Sequence, residues 1–158
     1  MSQLVARIKL SRPELKPTKA HETDACWDLR ADLQSMTHLE EWTPKGIIIQ
    51  PLERIVVNTG VFVEVPTGFK TQINPRSGLA AKHGITILNS PGTVDASYRG
   101  EIKIILYNSD PYIEFEIKDL DRIAQMEFVA LQPTTIVFTD VLSDSDRGEN
   151  GFGSTGVK

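Results

Sequence analysis

Short apolar or alternating runs, none longer than seven residues, recur from one end of this chain to the other, and turn residues stand between them. They cover 4–10, 46–49, 54–57, 61–65, 69–73, 85–88, 101–107, 113–117, 124–130 and 135–138. Runs of this length, bounded by turns, read as strands rather than as helices, which need ten or more residues to repay their nucleation. Ile113-Glu114-Phe115-Glu116-Ile117 alternates strictly, as a strand with one wet face must, whereas Ile102-Lys103-Ile104-Ile105-Leu106 starts alternating and becomes apolar throughout. Pro44-Lys45-Gly46, Pro66-Thr67-Gly68, Ser90-Pro91-Gly92 and Ser109-Asp110-Pro111 supply the turns. The pattern predicts an all-β sandwich or barrel. One short helix is expected over 78–83, with Ser77 as N-cap and Gly84 as its stop.

With 158 residues the chain is one domain long and can bury a core without staples. Its net charge of −4 offers no basic field for nucleic acid, so a polymer-binding role is disfavoured. Cys26 is the single cysteine, which excludes an intrachain disulfide, and His21, His38 and His83 are too scattered for a zinc site. Residues 1–8 hold no apolar segment of signal length and no later run approaches a membrane span. A cytoplasmic protein that uses neither membrane nor nucleic acid is expected, in the host cytoplasm if the source is viral.

Beyond 141 the apolar pattern gives way to Ser-Asp-Ser-Asp and then to a tail of another kind. Gly148 to Lys158 combines four glycines, two hydroxyls and Phe152, just after Arg147. A disordered terminus is one reading of such a composition. Arg147 and Phe152 point to another: unshielded N–H groups, hydroxyls, a guanidinium and a ring can close over a phosphorylated, flat-ringed ligand.

Four further stretches carry chemistry. Asn74-Pro75-Arg76-Ser77-Gly78-Leu79 puts a guanidinium and a hydroxyl at a helix start, which suits an anion, although Arg76 can equally pair with an acid and Ser77 merely cap. Gly92-Thr93-Val94-Asp95-Ala96-Ser97-Tyr98-Arg99-Gly100 lies between strands and projects Asp95 and Tyr98, unless Asp95 only closes an Asx turn. Asp121-Arg122-Ile123-Ala124-Gln125 offers the Gln125 amide as a neutral donor. Asp28, in Asp24-Ala25-Cys26-Trp27-Asp28-Leu29-Arg30-Ala31, either holds a hydrated divalent cation or sits buried against a neighbouring arginine.

Taken in order, five stretches resemble the motifs of the trimeric dUTPase family: Ala25 to Leu29, Pro75 to Ile85, Gly92 to Gly100, Asp121 to Gln125, and Arg147 to Gly156. Together they span nearly the whole chain. Cys26, Leu120 and Asn150 stand where that family commonly has glycine. The resemblance implies a distorted jelly-roll-like β-barrel over 1–140 and a flexible glycine-rich arm over 141–158 that closes an active site. It implies a homotrimer with shared sites and Mg²⁺-dependent hydrolysis of dUTP to dUMP and pyrophosphate. Such an activity limits uracil incorporation into DNA and supplies dUMP for dTMP synthesis.

Carried onto this sequence, the family's catalytic carboxylate corresponds to Asp95, which orients and helps deprotonate the attacking water. Arg76, Ser77, Gly78, Gln125, Arg147, Gly153, Ser154 and Thr155 correspond to groups along the phosphates, and Asp28 to a contact with Mg²⁺ through water. Asn89 and Val94 belong to the hairpin that reads uracil, Tyr98 to the ring beneath the deoxyribose, and Phe152 to the ring that stacks on the base. The dCTP deaminase branch of the same fold is the nearest alternative and is not expected to carry the Phe-containing tail. A nucleotide-sensing or partner-binding protein that uses the dUTP-bound state as a signal is the other alternative.

Overall fold

The computed structural model describes residues 4–37, 42–43, 45–146 and 148–149. Within them the chain forms eleven strands and one α-helix. The strands are β1 (Arg7–Leu10), β2 (Trp27–Arg30), β3 (Trp42–Thr43), β4 (Gly46–Ile49), β5 (Arg54–Glu64), β6 (Phe69–Asn74), β7 (Ile85–Ile87), β8 (Gly92–Asp95), β9 (Glu101–Asn108), β10 (Phe115–Ile117) and β11 (Arg122–Ala130). They pair antiparallel in three sheets, ordered β1-β5-β9-β7, β10-β4-β3 and β2-β11-β6-β8. This is the expected all-β, jelly-roll-like architecture, although no continuous ladder closes the described strands into a barrel.

One apolar cluster joins all three sheets: Leu29 of β2, Ile47 of β4, Val57 of β5, Ile104 of β9, Ile117 of β10 and Met126 of β11 are each at most 1% exposed. Side chains of that size stabilise by about 1.5–3 kcal/mol each when fully buried. Alternation decides which residues go inside. In β9, Ile102, Ile104 and Leu106 point inward while Lys103 faces water.

At one end Arg12 ties three segments together, donating to Asp32 through Nε at 2.9 Å and to Asp119 through Nη2. Burial alone lowers the proton affinity of Arg12, but the hydrogen bonds and charges of Asp119 and Asp32 outweigh it and leave the guanidinium above its ordinary value.

Several expectations are corrected. The runs at 54–57 and 61–65 are one strand, β5, whose register shifts between Asn58 and Phe62 opposite β9. Gly60 makes this possible: its φ is +62°, and a Cβ there would run into Ser11 and Leu15. Strands β2, β3 and β8 have no counterpart among the predicted runs. Residues 135–138, predicted as a strand, pair with nothing among the described residues, and Phe138 is 94% exposed. A strand is stable only against a partner, so apolar, β-branched composition is not sufficient.

The helix, α1 (Ser77–His83), begins one residue early. Arg76, not Ser77, holds the extended N-cap position, and no side chain caps the helix. Gly84 ends it in the left-handed conformation, as expected.

Candidate active site

Sheet β2-β11-β6-β8 carries two separate cavities that together gather every described residue expected in the site. The first, about 270 Å³, opens beside β8. Its walls include Asn89, Gly92, Val94, Asp95 and Tyr98, and its floor includes the buried Ile73, Ile87, Ile102 and Ile104. An apolar floor with polar groups at the rim suits a flat heterocycle whose edge needs hydrogen-bond partners.

Asp95 ends β8 with its side chain exposed, opposite Lys70 of β6. A turn follows, in which the Tyr98 N–H donates to the Asp95 carbonyl at 3.1 Å. The Tyr98 hydroxyl donates to the Glu101 carbonyl at 3.0 Å, which pins the ring across Gly100. Any Cβ on Gly100 would collide with that ring, so this glycine is what lets Tyr98 lie flat over the turn. Glu101 and Lys103 also line the cavity. Sequence reasoning assigned them to a strand and missed them, since alternation says which face a residue takes but not that the face borders a cavity.

The second cavity, about 370 Å³, is polar and lies where β2, β11 and the start of α1 meet. It brings together Asp28 of β2, Gln125 of β11, and Arg76, Ser77 and Gly78 from the N-cap and first turn of α1. Asp28 accepts from Arg76 Nε on one oxygen at 2.9 Å and from Arg122 Nη1 on the other at 3.0 Å. Arg76 also donates through Nη1 to the Arg122 carbonyl at 3.1 Å. Gln125 donates its amide to the Pro75 carbonyl at 2.9 Å, bracing the turn that delivers Arg76. Ser77 and Gly78 sit in the first turn of α1, where backbone N–H groups have no partner within the helix and face an anion readily.

Asp28 is thus buried against two arginines, one of the two arrangements expected for it, with each of its oxygens accepting from a guanidinium N–H group. Arg122, in the sequence only a neighbour of Gln125, also lines this cavity and was not expected there. Cys26 shares this cavity, and its thiol is pushed above its ordinary value, first by burial and then by the charge of Glu127. It remains a neutral thiol near pH 7 and is no nucleophile there.

The two cavities share no lining residue. Arg147, Phe152, Gly153, Ser154 and Thr155, like His38, lie outside the described residues.

An all-β, jelly-roll-like domain with one base-sized pocket and one arginine-lined anion cavity has the parts of a nucleotide-binding enzyme. Residues 15–156 match the dUTPase family model, and the chain belongs to that family and is a dUTP diphosphatase. It is 44% identical over 153 residues to the deoxyuridine 5'-triphosphate nucleotidohydrolase of Thermobifida fusca, covering 95% of this chain and 79% of that one. Its identity to the nucleotidohydrolase of the same name from Clostridium novyi is 43% over 152 residues, covering 94% and 96%. Among solved structures, the dUTPase of Staphylococcus bacteriophage 80alpha with dUPNHPP superposes with a TM-score of 0.79 at 25% identity, over 97% of this chain and 99% of that one.

Proposed function

We propose that the enzyme hydrolyses dUTP by attack of water on the α-phosphorus, with the uracil in the cavity beside β8 and the triphosphate in the polar cavity of a neighbouring subunit. The oxygen of water bonds to phosphorus, the bond to the bridging oxygen breaks, pyrophosphate leaves, and the water's proton passes to Asp95. A carboxylate is a weak base, but positioning and charge neutralisation carry most of phosphoryl transfer. Arg76, Ser77, Gly78 and Gln125 hold phosphate oxygens, and the arm with Arg147, Gly153, Ser154 and Thr155 closes over them while Phe152 stacks on the base. Asn89 and the backbone around Val94 read the uracil edge. Cytosine reverses the donor and acceptor there, a mismatch that can discriminate by about 10⁴.

The observation that carries this reading is the separation of the two cavities on one chain. A general base lies about 3 Å from the water it deprotonates, and that water about 3.5 Å from the atom it attacks. Asp95 is paired opposite Lys70 and Gln125 opposite Asn74, on the two sides of β6. Four residues of strand and two strand spacings put their backbones roughly 16 Å apart. Gln125 turns toward Pro75, away from Asp95, and Glu127 stands between them with hydrogen bonds from Gln72 and Asn74. A site in which Asp95 and the phosphate donors address one phosphate is therefore best supplied by two chains, which supports a trimer with shared sites. The exposed apolar stretch containing Ile136, Val137, Phe138, Val141 and Leu142 supports it too, as chain that gains by crossing to a neighbour.

Among the described residues no group of three or more His, Cys, Asp or Glu side chains could hold a metal ion. Mg²⁺ would therefore enter as a companion of the triphosphate, held by phosphate oxygens and water, and Asp28, whose oxygens already accept from Arg76 and Arg122, would contact it through water. The chemistry it would supply there is neutralisation of phosphate charge, which would ease the departure of pyrophosphate. No described helix is long and apolar enough to cross a membrane. By its family the enzyme is read as a cytoplasmic one that removes dUTP from the DNA precursor pool and yields dUMP for dTMP synthesis.

Release of dUMP and pyrophosphate, measured in parallel from dUTP, dCTP and dTTP with Mg²⁺ or with chelator, tests the proposal. Turnover confined to dUTP and dependent on Mg²⁺ is expected. Ammonia released from dCTP would instead favour a deaminase.

A further inference from the structure

We infer that Arg122 is a second phosphate-binding cation of the polar cavity, and that Asp28 is the positioning residue that aims Arg122 and Arg76 together at the anion. This rests on the reading that the cavity takes the triphosphate.

The placement of Arg122 comes from an irregularity in β11. Strict alternation along Arg122-Ile123-Ala124-Gln125 would send Arg122 and Gln125 to opposite faces. The register between β11 and β2 shifts between Arg122 and Ala124, and Ile123 and Ala124 are both buried in succession, at 2% and 0% exposure. The bulge turns Arg122 to the same side as Gln125, and both line the cavity with Arg76, Ser77 and Gly78. Bulges characteristically re-aim side chains next to sites of function.

The hydrogen bonds leave Arg122 equipped for a ligand. Of its five N–H groups, one goes to Asp28 among the described residues. The Arg122 side chain is 44% exposed, whereas the Asp28 side chain that it meets is 13% exposed. Asp28 thus sits deeper, between two cations that would otherwise repel each other, and fixes one edge of each fork. With Arg122 pinned through one N–H and Arg76 through Nε and Nη1, the N–H groups left over on the two forks form a cradle for phosphate oxygens, for which planar bidentate donors are the strongest partners. Asp24, the other acid lining the cavity, already accepts from the His21 N–H at 2.9 Å. In this arrangement Asp28 acts on the phosphates chiefly through arginine, and its contact with the water shell of Mg²⁺ is secondary.

Pyrophosphate binding in the presence of chelator separates these roles, because no metal is then available to bridge. The full-length enzyme and its Arg76→Met, Arg122→Met, Arg122→Lys and Asp28→Asn variants are titrated with pyrophosphate by calorimetry, and turnover of dUTP is followed across a Mg²⁺ series. Arg122→Met should weaken pyrophosphate binding about tenfold and raise KM for dUTP more than it lowers kcat. Arg122→Lys keeps the charge without the fork and should fall between Arg122→Met and the parent, which keeps the test open if the methionine variant folds poorly. Asp28→Asn should weaken pyrophosphate binding about fivefold, lose most of that effect in an Arg122→Met background, and leave the Mg²⁺ midpoint within twofold of the parent.

Parent-like pyrophosphate affinity in both Arg122 variants, with Arg76→Met weakened, overturns the inference and leaves the reading of the cavity standing. Affinity unmoved by Arg76→Met as well overturns both. Tighter binding by Asp28→Asn overturns the positioning role, since a carboxylate that only competes with phosphate gives that result. A raised Mg²⁺ midpoint with unchanged pyrophosphate affinity returns Asp28 to the metal.

Discussion

Asp95 and Gln125 flank the same strand, β6, on opposite sides and four residues out of register, one opposite Lys70 and the other opposite Asn74. The proposed base and a proposed phosphate donor therefore sit at two ends of one sheet face. Under the proposed reaction, a chain built this way contributes two halves to different sites rather than one whole site.

That separation makes a complementation experiment decisive. Asp95→Asn should bind dUTP yet lose at least about a hundredfold in turnover, within the range for removing a general base. Arg76→Met should lose turnover by a different route, through weakened phosphate binding. Co-refolded mixtures of the two inactive chains should regain activity, because some sites then combine an intact Asp95 from one subunit with an intact Arg76 from another. Absence of recovery in verified mixed assemblies means that each chain uses its own pair.

Tyr98 is held by two features that can be altered separately, its hydroxyl bond to the Glu101 carbonyl and the open space over Gly100. Tyr98→Ala removes the ring, and Gly100→Ala displaces it. Both should lower the ratio of kcat/KM for dUTP over UTP, with the phosphate donors untouched. If the ratio holds in both variants, the ribose is read elsewhere.

The chain beyond β11 divides into two stretches with different expected tasks. Truncation after Asp146 removes the glycine-rich tail and should leave fold and assembly intact while turnover falls steeply, as water enters and donors are lost. Truncation after Ala130 also removes the exposed apolar stretch and should dissociate the assembly. Sedimentation reads the size of each product, and an assembly surviving the longer truncation assigns the contacts to the sheets alone.

Cys26 provides a check on the environment of the polar cavity. Its thiol is raised by burial first and Glu127 second, so at pH 8 it should react with a thiol reagent more slowly in the native protein than in the unfolded chain. The native state favours the protonated form. Its contribution to stability is thus complete below the ordinary thiol value and declines as pH rises through the higher native one. Equal labelling rates in the two states would remove the proposed shift.

Much of this protein could be read from residue order. The turn residues between short apolar runs determined an all-β fold, because no stretch was long enough for a helical core. The clustering of Arg76, Ser77 and Gly78 at a helix start, and of Asp95 and Tyr98 beyond a glycine turn, marked the candidate site locally, since each cluster is adjacent in sequence and lines a cavity.

Tertiary structure decided what alternation cannot express. A one-residue bulge turned Arg122 toward Gln125, and a shared partner strand set Asp95 and Gln125 apart. Residues 135–138 have strand composition but remain unpaired among the described residues, while the less apolar Trp27-Asp28-Leu29-Arg30 became β2. The physical reason is common to all four cases. A side chain's type is local, but the face it takes and the partner its backbone meets depend on hydrogen bonds to strands far away in sequence.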